Sequence, residues 1–350
     1  MTSTVSLMSL ATAAPPNALL QTDAVEIARD MFAGRFDEFE RLSAVFANTG
    51  IRERRLAQPL DWYFQPQGWP ERTAAYLAAA EALFVEGATA ALAAALVQPA
   101  QVDTIVTVSS TGIATPSLEA RVLTRMGFRT DVERVPVFGL GCAGGVSGLS
   151  LAARLAAGRP GSTVLFVTIE LCSLAFRLDE LTKANIVATA LFGDGSAACV
   201  LRAGEEGDWR VEGGGQHTWP DTLDIMGWSI DPQGFGVILD RALPPFAEAH
   251  MAPAMAGILN RAGLRLEDID QFAFHPGGTR IVEALERALS LGQGALEHER
   301  AVLAEYGNMS APTSFFVLER VMRAGLPGRT LLTAMGPGFT ASCVSLQQAA

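Results

Sequence analysis

Two rhythms of apolar and polar residues run along the chain, one at helical spacing and one continuous or alternating. Residues 70–99 carry the longest helical pattern, opened by Pro70-Glu71, because proline fits a first turn and an acid suits its positive end. The rhythm then shortens. Residues 102–109 (VDTIVTVS) read as a strand with a loop at Thr111-Gly112, 132–140 as another strand, and 144–157 as a helix stopped by a Gly-Arg-Pro-Gly break. Residues 162–170 (STVLFVTIE) form an almost unbroken apolar run, the mark of a strand buried on both faces. Alternation of this kind predicts an α/β protein with a covered sheet.

A polar break at 203–207 (AGEEG) precedes a second series. It predicts a strand at 271–275 and a helix at 279–291 with Ile281, Leu285, Ala288 and Leu289 on one face. A helix at 311–324 follows, with Pro312 in its first turn, and two closing strands at 330–335 and 339–346 are hinged at Gly336-Pro337-Gly338. No repeat is visible at the residue level. The length nevertheless suits two comparable halves, 1–205 and 206–350, forming one compact body without a low-complexity linker.

Composition narrows the function. Of 350 residues, 49% are apolar and 18% charged, ample for a buried core, and the net charge of −11 disfavours nucleic acid as a partner. Lys183 is the single lysine, so the positive charge is almost entirely arginine, suited to forked phosphate or carboxylate contacts. Four cysteines (Cys142, Cys172, Cys199, Cys343) lie far apart with no C-x-x-C pair, which argues against a zinc ribbon or disulfide scaffold and suits a reducing cytoplasm. The first twenty residues lack Lys and Arg, unlike a secretory signal. The alanine-rich stretch 74–97 is interrupted by Glu81 and Glu86, so no integral membrane segment is expected.

Three segments carry candidate chemistry. In 138–145 (FGLGCAGG) a strand delivers Cys142 into a glycine-rich turn at a helix start, where unpaired N–H groups and the helix dipole favour thiolate. The alternatives are a space-filling cysteine, or a dinucleotide loop from the G-x-G-x-x-G of Gly139, Gly141 and Gly144. The latter lacks an acid at the expected distance, since the next strand ends at Glu170. His275 ends an apolar strand and enters a Pro-Gly-Gly turn, the best-mounted imidazole of four; His298 sits between glutamates. It reads either as a core histidine or as partner to a thiolate. Asn308 precedes a helix and serves as its cap or aims its N–H at an oxyanion.

The combination of GCAGG at Cys142, FHPGG at His275, GNMSAPT at Asn308 and the terminal GPGF (Gly336, Pro337, Gly338, Phe339) resembles the type III polyketide synthases, the chalcone synthase-like enzymes. LFGDG at 191–195 and MGW at 226–228 extend the likeness over most of the chain. The resemblance implies a thiolase-like fold of five layers, α-β-α-β-α, from two related halves, working as a homodimer. It implies acyl-CoA and malonyl-CoA as substrates, no other cofactor and no metal. Cys142 would be the nucleophile, held as a thiolate–imidazolium pair by His275, with His275 and Asn308 donating to the thioester carbonyl. Phe192 matches the family's aromatic gate, though it also suits a core position.

Other pocket positions depart from the plant pattern. A second gate phenylalanine is replaced by Val237 (Phe235 lies two residues away), two threonines by Cys172 and Ala175, and a methionine that crosses the dimer interface by Thr115. These changes widen and grease the cavity. With the ELCSLAF stretch at 170–176, which is similar to bacterial members, they imply a long-chain fatty acyl starter and an alkylpyrone or alkylresorcinol product. Tetrahydroxynaphthalene- and chalcone-type synthases are alternatives within the family. A type III β-ketoacyl-acyl-carrier-protein synthase is the nearest rival outside it, and a nucleotide-binding module or silent dimeric scaffold the rival from another class. Arg52 and Arg55, in IRERR, are the candidate port for coenzyme A phosphates, or else a solvated face partly neutralised by Glu53.

Overall fold

A computed structural model describes residues 4–36, 38–205, 207–325 and 328–349. The first half runs β1 (Val5–Ala13), β2 (Asn17–Leu20), α1 (Gln21–Phe32), α2 (Phe39–Asn48), β3 (Glu53–Leu56), α3 (Leu60–Tyr63), α4 (Trp69–Ala94), β4 (Thr104–Val108), α5 (Leu118–Met126), β5 (Glu133–Val137), α6 (Gly144–Ala157), β6 (Thr163–Leu171), α7 (Lys183–Leu191) and β7 (Asp194–Ala203). The second runs β8 (Trp209–Thr218), β9 (Met226–Asp231), β10 (Gly234–Leu239), α8 (Leu243–Arg261), β11 (Gln271–Phe274), α9 (Thr279–Ala288), α10 (Glu297–Tyr306), α11 (Thr313–Ala324), β12 (Arg329–Gly336) and β13 (Thr340–Gln348). The expected boundary at 205/206 touches residue 206, which lies outside the described residues.

Nine strands lie in the order β11-β12-β13-β8-β1-β7-β6-β4-β5. From the middle outward, β1, β7, β6 and β4 repeat the directions of β8, β13, β12 and β11. Each set pairs antiparallel twice and then parallel once. The first set adds β5, parallel to β4 at the free edge. β1 and β8 pair only through Val5–Val211, Ser6–Arg210 and Leu7–Trp209. Joined at that corner, the two half-sheets diverge and admit two helices between them.

Helices α6 and α11 fill that middle layer, and one core cluster draws Val146 and Leu149, Phe315 and Leu318, and strand residues Phe166 and Leu332 together. A second cluster seats α4 and α5 on the first half-sheet through Tyr76, Phe84 and Val122. A third seats α8 and α9 on the other half-sheet through Met255, Ile258 and Leu285. The result is the five-layer stack. β6 is buried at every position because helices cover both its faces, as its unbroken apolar run requires. Helix α4 is long and apolar enough by composition to cross a membrane, with mean hydropathy 1.5 over its most apolar stretch. It packs on β1, β6, β7 and α5 as a helix of the outer layer.

A fourth cluster lies outside the stack. Phe32, Phe39, Phe46 and Ile186 bring α1, α2 and α7 together. This cap covers the ends of the strands and helices that carry the candidate residues.

Candidate active site

The loop after β5 bends through Gly139 (φ +88°) and Gly141 (φ +46°), and both their N–H groups donate to Ser110 Oγ at 3.2 Å. A Cβ on Gly141 would stand 2.7 Å from Pro337, so glycine is needed there for both conformation and space. The chain then enters a 3-10 turn, Gly141–Ala143, continuous with α6, which sets Cys142 at that helix's N-terminal end. The neighbouring glycine serves packing rather than substrate approach. A Cβ on Gly145 would meet Ala311 O at 2.6 Å, so α6 lies directly against the backbone of the turn that leads into α11.

His275 follows directly on β11, its backbone N donating to Thr333 O at 2.8 Å. Asn308 is held beside Phe192: its N donates to Leu191 O (2.8 Å), and its O accepts from Gly193 N (2.9 Å). The Asn308 side chain accepts from Ser310 N at 2.8 Å and donates one Nδ2 proton to Gly277 O at 3.2 Å, leaving a second N–H. Cys142, His275 and Asn308, from three separate segments, line one cavity of about 410 Å³ together with Phe192, Met226 and Leu239.

Burial dominates the electrostatics of the sulfur and the imidazole. Burial pushes the Cys142 thiol up to about 12, opposed by the Ser310 hydroxyl, which donates to the sulfur at 3.3 Å; a Glu170 charge would push it up further. Burial lowers His275 to about 4, and neither ring nitrogen has a hydrogen-bond partner among the described residues. Burial thus moves both groups toward their neutral forms.

The cavity continues in both directions. Outward it shares Leu191, Leu239, Leu243, Gly277 and Ile281 with a large opening of about 1400 Å³, solvent included, whose wall carries Arg41, Lys183, Arg241 and Arg280. Glu38 pairs with Arg41 (3.0 Å) and Lys183 (2.6 Å), whereas Arg241 and Arg280 make no ion pair with any described residue. Inward, a space of about 430 Å³ adds Trp228, Pro337 and Ser110. Through Cys172, Phe192 and Val237 that space adjoins an apolar chamber of about 630 Å³, open space included, lined by Leu19, Ile27, Met31, Leu60 and Ala175 among others.

Val237 faces the cavity, while Phe235, two residues earlier on the same face of β10, meets Trp69 (5.1 Å) and Trp228 (5.6 Å) between ring centroids. Pro337 lines the inner space and Gly336 lets its strand approach Ala143, but Phe339 is a core residue stacked on Trp219, and Gly338 lines none of these cavities. Thr115 is exposed on the surface of the single chain. Arg52 points toward Glu305 (3.8 Å) and Arg55 pairs with Glu53 (2.9 Å); neither lines the cavities, while Arg54 turns inward to the carbonyls of Thr189 and Phe192. Among the described residues no cluster of His, Cys, Asp and Glu is arranged to hold a metal ion. Ser310 and the four cations of the mouth escaped sequence reasoning.

Residues 65–205 match the N-terminal domain, and 211–349 the C-terminal domain, of the chalcone and stilbene synthases. A 1,3,6,8-tetrahydroxynaphthalene synthase of Streptomyces peucetius subsp. caesius is 38% identical over 98% of this chain and 93% of its own. The alpha-pyrone synthesis polyketide synthase-like Pks18 of Mycobacterium tuberculosis is 30% identical over 95% and 88%. The crystal structure of the tetrahydroxynaphthalene synthase of Streptomyces coelicolor, a bacterial type III polyketide synthase, superposes with a TM-score of 0.93 at 29% identity, covering 99% of this chain and 100% of that one. The chain belongs to the chalcone and stilbene synthase family, the type III polyketide synthases. It is an acyltransferase of the decarboxylative condensing kind, working on coenzyme A thioesters without a further cofactor.

Behind Cys142, Glu170 is wholly buried and accepts twice from Ser110 N, at 2.9 and 3.1 Å. Burial raises its carboxyl from 4.5 to about 8. A carboxyl raised on folding stabilises the fold fully below its unfolded value, and that stability is lost as pH rises through the folded value. Thermal melts of wild type and Glu170→Gln should therefore diverge between about pH 5 and 9, the neutral variant gaining several degrees relative to wild type. Parallel curves would show that Glu170 stays ionised.

Proposed function

We propose that Cys142 carries the growing acyl chain and that His275 and Asn308 stabilise the charge developing on substrate carbonyls. The orphaned imidazole of His275, sharing a buried cavity with the sulfur and with Asn308 Nδ2, is the observation that carries this reading. As a CoA thioester seats, Cys142 attacks its carbonyl carbon and passes its proton to His275, and the departing CoA thiolate takes that proton away. Malonyl-CoA then loses carbon dioxide, leaving an enolate whose oxygen accepts hydrogen bonds from His275 and Asn308. Its carbon attacks the Cys142 thioester and releases the sulfur for the next round. Loss of one such donor typically costs about 10²–10³ in rate.

The apolar chamber supports a long-chain fatty acyl starter, with an alkylpyrone or alkylresorcinol product. Cys172, Ala175 and Val237 border it, and Leu19, Ile27, Met31, Leu56 and Leu60 give it an aliphatic wall, with Tyr63, Phe176 and Phe192 as its aromatic members. For the coenzyme A phosphates we assign the mouth carrying Arg41, Lys183, Arg241 and Arg280, which opens directly onto the catalytic cavity, rather than Arg52 and Arg55. We read the chain as two halves, 1–205 bearing Cys142 and 206–350 bearing His275 and Asn308. It would act in the cytoplasm as a homodimer, a state supported by the free edge of β5 and by exposed Ile113 (53%) and Phe138 (55%) beside it.

Three measurements test these assignments. Mass spectrometry of products from lauroyl-, palmitoyl- and stearoyl-CoA with malonyl-CoA should show extended, cyclised chains, all abolished in Cys142→Ala. Product from malonyl-CoA alone, with fatty starters refused, would favour the tetrahydroxynaphthalene-type reaction. Arg241→Ala with Arg280→Ala should raise KM for CoA esters about tenfold, and more than Arg52→Ala with Arg55→Ala does; the reverse order would restore the latter pair as the port. Sedimentation of Phe138→Asp should show monomer where wild type sediments as dimer, and an unaltered dimer would place the interface elsewhere.

A further inference from the structure

The apolar chamber stops at two aromatic rings. Tyr63 and Phe176 stand edge to face, centroids 6.3 Å apart at 69°. They line the chamber on one side, and on the other they line a surface cleft of about 980 Å³ that carries Arg35, Arg72 and Gln67. No other described residue lines both spaces. The pair therefore stands between the apolar chamber and the surface cleft.

The two rings are held differently. The Tyr63 hydroxyl shares a 2.6 Å hydrogen bond with Ser173 Oγ and accepts from Gln58 N at 3.3 Å. Ser173 is itself tied to buried Asp194, its backbone N donating at 2.8 Å. Tyr63 is thus a fixed post. Phe176 ends the short 3-10 turn Cys172–Ala175, is half-buried, and rests by edge contacts on Phe32 and Tyr63, with no polar group to anchor it.

We propose that Phe176 sets the length of the starter: an alkyl tail threaded past Cys172, Val237 and Ala175 ends against its ring, with Tyr63 as the frame on which the ring closes. A tail one methylene too long must displace Phe176 toward the cleft or hold its thioester back from Cys142. The inference rests on the fatty-starter reading above and names the residue that limits it. Phe176 is placed here as a specificity determinant and does not touch the reacting atoms.

The experiment is a ladder of saturated acyl-CoA starters, from butyryl- to stearoyl-CoA, with malonyl-CoA and the full-length protein. kcat/KM is read for wild type, Phe176→Ala and Phe176→Trp, and thermal melts check folding. Wild type should fall about tenfold or more per methylene beyond its limit. Phe176→Ala should move that fall to longer chains and raise the ratio of the longest to the shortest starter about tenfold or more, and Phe176→Trp should move it to shorter ones. Phe176→Leu serves if the alanine variant does not fold, with a smaller shift in the same direction. A limit that stays in place while wild type accepts fatty starters overturns this inference alone, as does a uniform loss across the ladder. Refusal of every fatty starter by wild type, with malonyl-CoA still consumed, removes the starter reading and this inference with it.

Discussion

The close backbone contact between α6 and the turn that leads into α11 is the constraint on which the site depends. Only a residue without Cβ fits at Gly145, where a methyl carbon would lie 2.6 Å from Ala311 O and 2.7 Å from the Phe315 ring. That closeness sets the start of α6 against the loop before α11. Cys142 therefore meets Ser310 across 168 residues of sequence. Asn308 arrives through the same loop, and His275 reaches the cavity from β11, whose parallel pairing with β12 fixes where its strand ends. A side chain at Gly145 would push the helices apart and would separate sulfur from amide before it touched the chemistry.

Burial in such a place has an electrostatic outcome. A thiol and an imidazole removed from water both lean toward their neutral forms, and so does the carboxyl of Glu170 behind them. Burial in this place therefore penalises charge on all three groups alike. Donors that need no rearrangement as charge develops are worth most in a dry cavity.

Much of this was legible in the residues. β6 and α6 announced themselves because an unbroken apolar run and a glycine-opened helical pattern each admit one arrangement. Cys142, His275 and Asn308 stood out because each sits in a turn whose Gly and Pro neighbours fix the backbone. β1 did not stand out: its sequence, VSLMSLATA, is short, small and apolar, and its role at the junction of two half-sheets is a tertiary fact. The arginine cluster at 52–55 misled for a local reason. On β3 successive side chains face opposite ways, so Arg54 is buried while Arg55 points outward. The mouth draws its four cations from α2, the start of α7, the segment before α8 and α9, a grouping no stretch of sequence displays.

The throat formed by Cys172, Phe192 and Val237 separates two compartments that branch from the region of Cys142. A tail parked beyond it occupies none of the room over the sulfur, where Met226, Trp228 and Leu239 enclose whatever is being built. On the fatty-starter reading proposed above, starter size and the number of condensations would then be independent variables. Natural variation could retune either by altering one chamber's walls and leaving the other's untouched.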